Sequence, residues 1–296
     1  MDAYPRTITW RPGKWLAGGL LGVFAVMLSW LLASRTGFPA SNPEFSCLTG
    51  DAEACNQVTA ALVEGGARGQ ATRYARMGCH LDDGLACGNL ALILHMAGRP
   101  ADALPFARKG CRMDDGTACG NLSKLLIEVG ENDEARRSAR RGCELKSGLA
   151  CANLAWILGQ KGEFDRAKRY AGMGCELGSG LACGNLAWIL GEQGHPEKAI
   201  VHARKGCDLD DGTACGNLAA LLINAGRPEE AYTYAVKGCR LRSGIACGNL
   251  SLILQKAGRH AEAIAKARQG CDLDSGKTCA WATRLLHSAG KPEDAR

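Results

Sequence analysis

Apolar residues along most of this chain fall at helical spacing in two alternating kinds of block, one built on leucine and isoleucine, the other on alanine and glycine. In the stretch that begins at Cys207, Ala214, Leu218, Leu221, Leu222 and Ala225 lie three or four residues apart and predict one apolar stripe on a first helix. Asp211 stands just before it as an N-cap type, as do Asp83, Asp115, Ser147, Ser179, Ser243 and Ser275 elsewhere. Gly226 predicts a left-handed C-cap, matched by Gly98, Gly130, Gly162, Gly194, Gly258 and Gly290. Pro228, with Pro100, Pro196 and Pro292 in register, suits the first turn of a second helix. That helix carries Ala231, Ala235 and Gly238, a face small enough for close helix approach. Pro105 falls inside the second helix of its unit and predicts a kink there.

The two-helix block recurs at a constant step of 32 residues, and so do the cysteines. All sixteen fall into eight pairs, Cys47/Cys55, Cys79/Cys87, Cys111/Cys119, Cys143/Cys151, Cys175/Cys183, Cys207/Cys215, Cys239/Cys247 and Cys271/Cys279. A fixed period of this length marks an array of stacked units in which each buries its apolar face only against its neighbours. The expected fold is therefore all-α, an α-solenoid of helix-turn-helix units from residue 47 to 296. The first unit, Cys47 to Cys55, is degenerate because it lacks the glycine found at the sixth position of the other pairs, and the last stops one turn into its second helix. Even pairing at identical spacing points to one disulfide per unit, each worth about 2.6 kcal/mol in the chain-entropy model. The rival reading is zinc. It usually wants closer cysteine pairs, often with histidine, and His80, His95, His195, His202, His260 and His287 share no register in the repeat.

Composition narrows the function classes. Aromatic residues are only 5%, so small residues must pack backbones closely in place of a bulky core. The net charge of +6 is spread along the chain and does not argue for nucleic acid. Acidic residues cluster at the start of second helices (Asp133, Glu134, Glu229, Glu230) and basic ones at the end (Arg140, Arg141, Arg204, Lys205), as the helix dipole favours. No cofactor is expected, and no phosphate-binding glycine loop or paired-carboxylate site stands out.

Residues 15–33 contain no charge over nineteen positions, with Trp15 and Trp30 near the ends, and predict a transmembrane anchor. Arg6, Arg11 and Lys14 precede it and Arg35 follows, which places residues 1–14 in the cytoplasm and exports the repeats to an oxidising compartment, most simply a bacterial periplasm. The alternative is a signal peptide cleaved before Ser34. Residues 34–46 read as a short non-helical linker.

The segment Cys207-Asp-Leu-Asp-Asp-Gly-Thr-Ala-Cys-Gly-Asn-Leu218 resembles the cysteine-rich Sel-one-like repeats of the Helicobacter cysteine-rich protein family, over about residues 47–290. Cys215, Leu218, Ala219, Leu222, Ala231, Ala235 and Gly238 also resemble the packing positions of the tetratricopeptide repeat. The turn Gly226-Arg-Pro228 is as tight as in a tetratricopeptide hairpin, and the two residues missing from that 34-residue period come from the stapled segment, so each bridge should tie one unit to the next. Both resemblances imply a scaffold that binds a protein or peptide partner on a concave face lined by the first helices. The Helicobacter likeness also implies a second reading, a penicillin-binding or β-lactamase-like hydrolase. A third, a respiratory-complex assembly factor of the mitochondrial intermembrane space, follows from a cytochrome oxidase assembly factor with Sel-one-like repeats.

Five residues after the second cysteine of each unit the residue type varies: Leu92, Lys124, Trp156, Trp188, Ala220, Leu252 and Arg284. Variation on a constant scaffold is what a recognition surface requires. Trp156 and Trp188 would pair in the groove, or else fill space between units. Asn89, Asn121, Asn153, Asn185, Asn217 and Asn249 recur once per unit, either as an amide ladder for an extended peptide or as partners for backbone groups in an adjacent loop or turn. The one Ser-x-x-Lys match, Ser288-Ala-Gly-Lys291, falls on a helix-to-helix turn without Ser-Asp-Asn or Lys-Thr-Gly partners, so no catalytic residue is assigned.

Overall fold

The computed structural model describes residues 42–273. Fifteen helices and no strand occur among them. A short α1, Pro43–Leu48, leads into seven first helices: α2 Ala52–Glu64, α4 Gly84–Met96, α6 Gly116–Glu128, α8 Gly148–Gln160, α10 Gly180–Glu192, α12 Gly212–Asn224 and α14 Gly244–Lys256. The second helices alternate with them: α3 Arg68–His80, α5 Pro100–Arg112, α7 Asn132–Glu144, α9 Phe164–Glu176, α11 Pro196–Asp208, α13 Pro228–Arg240 and α15 His260–Leu273. Residues 43–46, expected in the linker, are the first turns of α1. The anchor at 15–33, Cys279, Ser275, Gly290, Pro292, Arg284 and the Ser288/Lys291 pair lie outside the described residues. Among those described, no helix is long and apolar enough to cross a membrane.

From α4 onward each first helix starts as its sequence predicts, and Asp51 caps α2 in the same way. The side chains of Asp51, Asp83, Asp115, Ser147, Ser179, Asp211 and Ser243 accept from the backbone N–H three residues on, satisfying one of the donors that a helix start leaves free. The tight turns close at left-handed glycines, Gly226 at φ +72° among them, and the Arg227 N–H donates back to the Leu222 carbonyl at 2.9 Å. Ala225 belongs to this cap and is exposed, so the apolar stripe of α12 ends at Leu222. Pro105 does not break α5, which keeps the thirteen residues of its counterparts. The proline is exposed one turn in, where water can satisfy the carbonyl that loses its partner.

Seven disulfides lie wholly within the described residues: Cys47–Cys55, Cys79–Cys87, Cys111–Cys119, Cys143–Cys151, Cys175–Cys183, Cys207–Cys215 and Cys239–Cys247. Their S–S distances are 1.96–2.04 Å. Each bridge joins the end of a second helix, or of α1, to the first turn of the next first helix. The turn between them needs one residue in the left-handed region, three after the first cysteine. Gly50 and Gly178 serve there in two units, but Asp82, Asp114, Lys146, Asp210 and Arg242 adopt it without a glycine's freedom.

The core is an alternation of leucine layers and alanine layers. Leu218 and Leu222 of α12 are fully buried, as are Ala231 and Ala235 of α13. First helices touch the first helices of the following unit along their length, whereas second helices mainly touch first helices. The first helices therefore form the inner layer of the array and the second helices the outer one.

Candidate partner-binding face

The cysteines, singled out in the sequence beside the partner-binding candidates, contribute nothing to an accessible site. Cys55, Cys87, Cys119, Cys151, Cys183, Cys215 and Cys247 are completely buried, each in the first turn of a first helix. The sulfurs of Cys87, Cys119, Cys183, Cys215 and Cys247 face inward, 3.6–3.8 Å from the backbone carbonyl of the cysteine to which each is bonded. Cys151 has the same burial against Cys143. The physical reason is the close approach of the two helices: Gly110, Gly142, Gly174 and Gly238 each leave room for a cysteine Cβ of the neighbouring helix, at Cys87, Cys119, Cys151 and Cys215 respectively, within 2.9–3.2 Å of where a Cβ of their own would stand. These cysteines are core residues and staples, and no partner can touch them.

The inner layer is held together by a repeated side-chain bond. Asn121, Asn153, Asn185, Asn217 and Asn249 each donate their amide N–H to the backbone carbonyl 33 residues earlier, at Gly88, Gly120, Ala152, Gly184 and Gly216, over 2.8–3.1 Å. Asn153 also donates to the Ser123 hydroxyl at 2.8 Å. The acceptors are helix carbonyls of the preceding unit rather than loop or turn groups. Asn121, Asn153 and Asn185 are only 5–6% exposed, so their amides are engaged inside the protein. Asn89 ends the ladder on Asn56, whose own amide donates to the Asp83 cap.

The varied positions sit at the accessible edge of the same helices. Lys124 is exposed, Leu92, Ala220 and Leu252 are half-buried, and Trp156 is 38% exposed. Trp188 differs from Trp156. Its six-membered ring lies over Gly159 of the preceding unit, where a built Cβ would come within 2.6 Å, and it meets the Phe164 ring edge-on at a centroid distance of 6.2 Å. An indole that depends on a missing side chain is packed as part of the array. The structure thus separates the two tryptophans, leaving Trp156 open and using Trp188 as filling between units. Sequence reasoning missed Gly159 as the partner of Trp188; its signal is a glycine where two other units carry Ile127 and Ile223.

The inter-unit groove that Trp188 fills recurs two units later and is open there. Ile223, Pro228, Tyr232, Leu252, Ile253 and Ala257 line about 710 Å³, with Glu229, Lys256 and Arg259 at the rim. Arg259 is engaged with Glu262 at 2.7 Å and with Tyr232, whereas Lys256 has no partner among the described residues.

The charged residues of the outer layer do more than complement helix dipoles. Arg108 holds Glu134 of the next second helix at 2.8 and 2.9 Å, Arg204 holds Glu230 at 2.7 Å and lies over the Tyr234 ring, and Arg141 holds Asp114 at 2.6 Å. Lys109 and Lys237 reach back to the carbonyls of Cys79 and Cys207 at 2.8 and 2.7 Å, and also to Asp82 and Asp210 in the stapled turns. The hydrogen bonds from Arg108 and Arg204 hold the Glu134 and Glu230 carboxyls below their ordinary range, against the pull of burial. Burial pushes the Asp211 cap up, opposed by the backbone N–H groups of Ala214 and Thr213. No group of three or more metal-ligating side chains occurs among the described residues.

The geometry is that of a tetratricopeptide-type helical array, and the comparisons agree. The tetratricopeptide repeat model matches residues 84–109, 180–205 and 212–233. No curated protein matches the sequence. Among solved structures, the fold is similar to c5321, a protective antigen of uropathogenic Escherichia coli displaying an SLR fold, at 16% identity and a TM-score of 0.57 over 86% of this chain and 61% of that one. It is similar to the APC/C hetero-tetramer Cut9-Hcn1 at 14% identity and a TM-score of 0.55 over 91% of this chain, which spans about half (52%) of that one. A tetratricopeptide repeat protein from Parabacteroides merdae aligns at 14% identity and a TM-score of 0.52 over 80% of this chain and 97% of that one. At such identities the likeness concerns the fold alone.

Proposed function

We propose that this chain is a non-catalytic scaffold of the cysteine-rich Sel-one-like kind that binds a protein or peptide partner along the inner face formed by its first helices. What supports this is the contrast between positions. Cap, staple, alanine and asparagine positions repeat and are engaged inside the array, while Leu92, Lys124, Trp156 and Leu252 differ from unit to unit at the accessible edge of one layer. Trp156 is the natural anchor, because an exposed indole flanked by constant scaffold is the residue type that dominates binding hot spots.

In this reading residues 15–33 tether the scaffold to a membrane, and the disulfides suit an oxidising compartment such as a bacterial periplasm. Chemical crosslinking in intact envelopes followed by capture of the full chain tests the binding face. Trp156→Ala should lose at least one partner with the fold intact; an unchanged set of crosslinked partners would remove this face from consideration. Protease digestion of spheroplasts tests the tether: only residues 1–14 should be shielded, and a mature form starting near Ser34 would refute it.

A further inference from the structure

The inter-unit groove between α12, α13 and α14 is open and largely apolar. A groove of the same register is filled elsewhere in the molecule. Two units earlier, the same register holds Trp188 edge-on against Phe164, above Gly159, and Lys168 reaches across to Gln193 at 3.3 Å. In the later groove every one of these positions is changed: Leu252 replaces the tryptophan, Ile223 the glycine, Pro228 the phenylalanine, Tyr232 the lysine and Ala257 the glutamine. The tryptophan is absent, Ile223 brings a side chain where Gly159 has none, and Tyr232 meets Arg259 in place of the Lys168–Gln193 bond. What remains is an apolar recess of about 710 Å³ between half-buried aliphatic side chains.

The rim sets the chemistry of what enters. Arg259 and Lys256 stand on one side, and Lys256 is an exposed cation with no partner among the described residues. Glu229 is the one acid of the lining. An apolar recess beside an uncommitted ammonium selects an aromatic side chain next to a carboxylate. We infer that this groove binds a peptide segment in which an aromatic residue is flanked by acidic ones, the indole or phenyl ring entering the recess beside Ile223 and Leu252 and the carboxylate pairing with Lys256. This rests on the peptide-binding reading above and places one subsite of it where α12 and α14 meet α13.

Isothermal titration of the full chain with the acetylated, amidated pentapeptide Gly-Asp-Trp-Asp-Gly tests it. Binding with Kd on the order of 10⁻⁴ M is expected for one anchored ring and one ion pair. The Asp-to-Lys version of the peptide should bind at least about tenfold more weakly, one ion pair being worth roughly that factor. Leu252→Trp enlarges a lining side chain so that it covers the recess, at a register where Trp156 and Trp188 show that an indole is tolerated, and should reduce binding at least about tenfold. Lys256→Glu alters only an exposed side chain and should reverse the preference between the acidic and basic peptides. No binding of the acidic peptide to the wild-type chain at 10⁻² M (an order-of-magnitude bound on weak association), equal binding by the Leu252→Trp protein, or an unchanged preference in Lys256→Glu would each overturn the assignment. Loss of partners in Trp156→Ala alongside any of those results would leave the inner-face reading standing and remove only this subsite.

Discussion

Gly206 of α11 and Ala214 of α12 meet so closely that a Cβ on Gly206 would stand 2.6 Å from the Ala214 Cβ and 2.7 Å from the Gly180 carbonyl oxygen. The same glycine-to-alanine contact recurs at Gly78, Gly110, Gly142, Gly174 and Gly238, each within 2.6–2.7 Å of the corresponding alanine. Two of the atoms in the way at Gly206 are backbone or Cβ, so neither can swing aside. Gly206→Ala should therefore destabilise the array by about 2 kcal/mol or more, although alanine is the better helix former. Urea unfolding would show a lower midpoint; a midpoint raised by the helix-propensity gain would mean that the contact relaxes freely.

This contact also marks how far the chain could be read in advance. Cap residues, turn glycines and the small face of the second helices are local or periodic, and each is legible because one residue type answers one backbone demand. The disulfide pairing was legible for the same reason. Partnerships across units were not. That Asn153 bonds a carbonyl 33 residues away, that Arg108 pairs with Glu134, or that Trp188 rests on Gly159 depends on how one hairpin is rotated on the next, and this rotation leaves no periodic trace in one sequence. Glutamates and arginines at helix ends satisfy the dipole rule whether or not they also bridge units, so the dipole reading concealed the ion-pair ladder.

The left-handed residue of the stapled turn was missed as well, because only some units mark it with glycine. Lys146 at φ +61° and Arg242 at φ +63° adopt a conformation that a Cβ disfavours. Asp82, Asp114 and Asp210 offset that cost with an ion-pair partner held from the same position, whereas Lys146 and Arg242 carry the opposite charge. Lys146→Gly should stabilise the chain by about 0.5–1 kcal/mol, the relief of strain exceeding the entropy that glycine adds to the unfolded state. Gly178→Lys should do the reverse. Paired denaturation curves in which both substitutions moved the midpoint in the same direction would contradict this account.

Acid should loosen the outer layer. Glu134 and Glu230 have carboxyls held below the ordinary value of about 4.5 by Arg108 and Arg204, so the stability they contribute is present above that value and lost as pH falls through their lowered folded range. Asp211 runs the other way, since burial raises it and protonation relieves that penalty. Two bridging glutamates against one cap predict a thermal midpoint that falls below about pH 4.5, on top of a decline that begins near pH 6.5 because burial holds the His202 imidazole below its ordinary value. Glu134→Gln should lower the midpoint at pH 7 by the equivalent of about 0.5 kcal/mol, a small effect because both partners are a third or more exposed, and should flatten the acid limb. An acid limb identical to that of the wild type would exclude this pair as its source.

Trp188 and Gly159 make the sharpest test of packing between units, since they form a lock in which one residue must be large and the other must have no side chain. Gly159→Ala places a methyl carbon only 2.6 Å from the ring carbon Cζ3 of Trp188. The ring is half-buried, so it has room to move outward toward solvent, as Trp156 stands opposite Ile127. The expected cost is about 1–2 kcal/mol, with Trp188 more exposed and its contact with Phe164 lost. Trp188→Ala removes the ring and leaves a void beside Phe164, at about 2–3 kcal/mol, less than a fully buried tryptophan would cost. The double variant should cost less than the sum, because once the ring is gone the new methyl group meets nothing. Quenching of tryptophan fluorescence by iodide reports the ring directly: Gly159→Ala should increase the quenched fraction, and an additive double-mutant cycle with unaltered quenching would show that the two residues act independently.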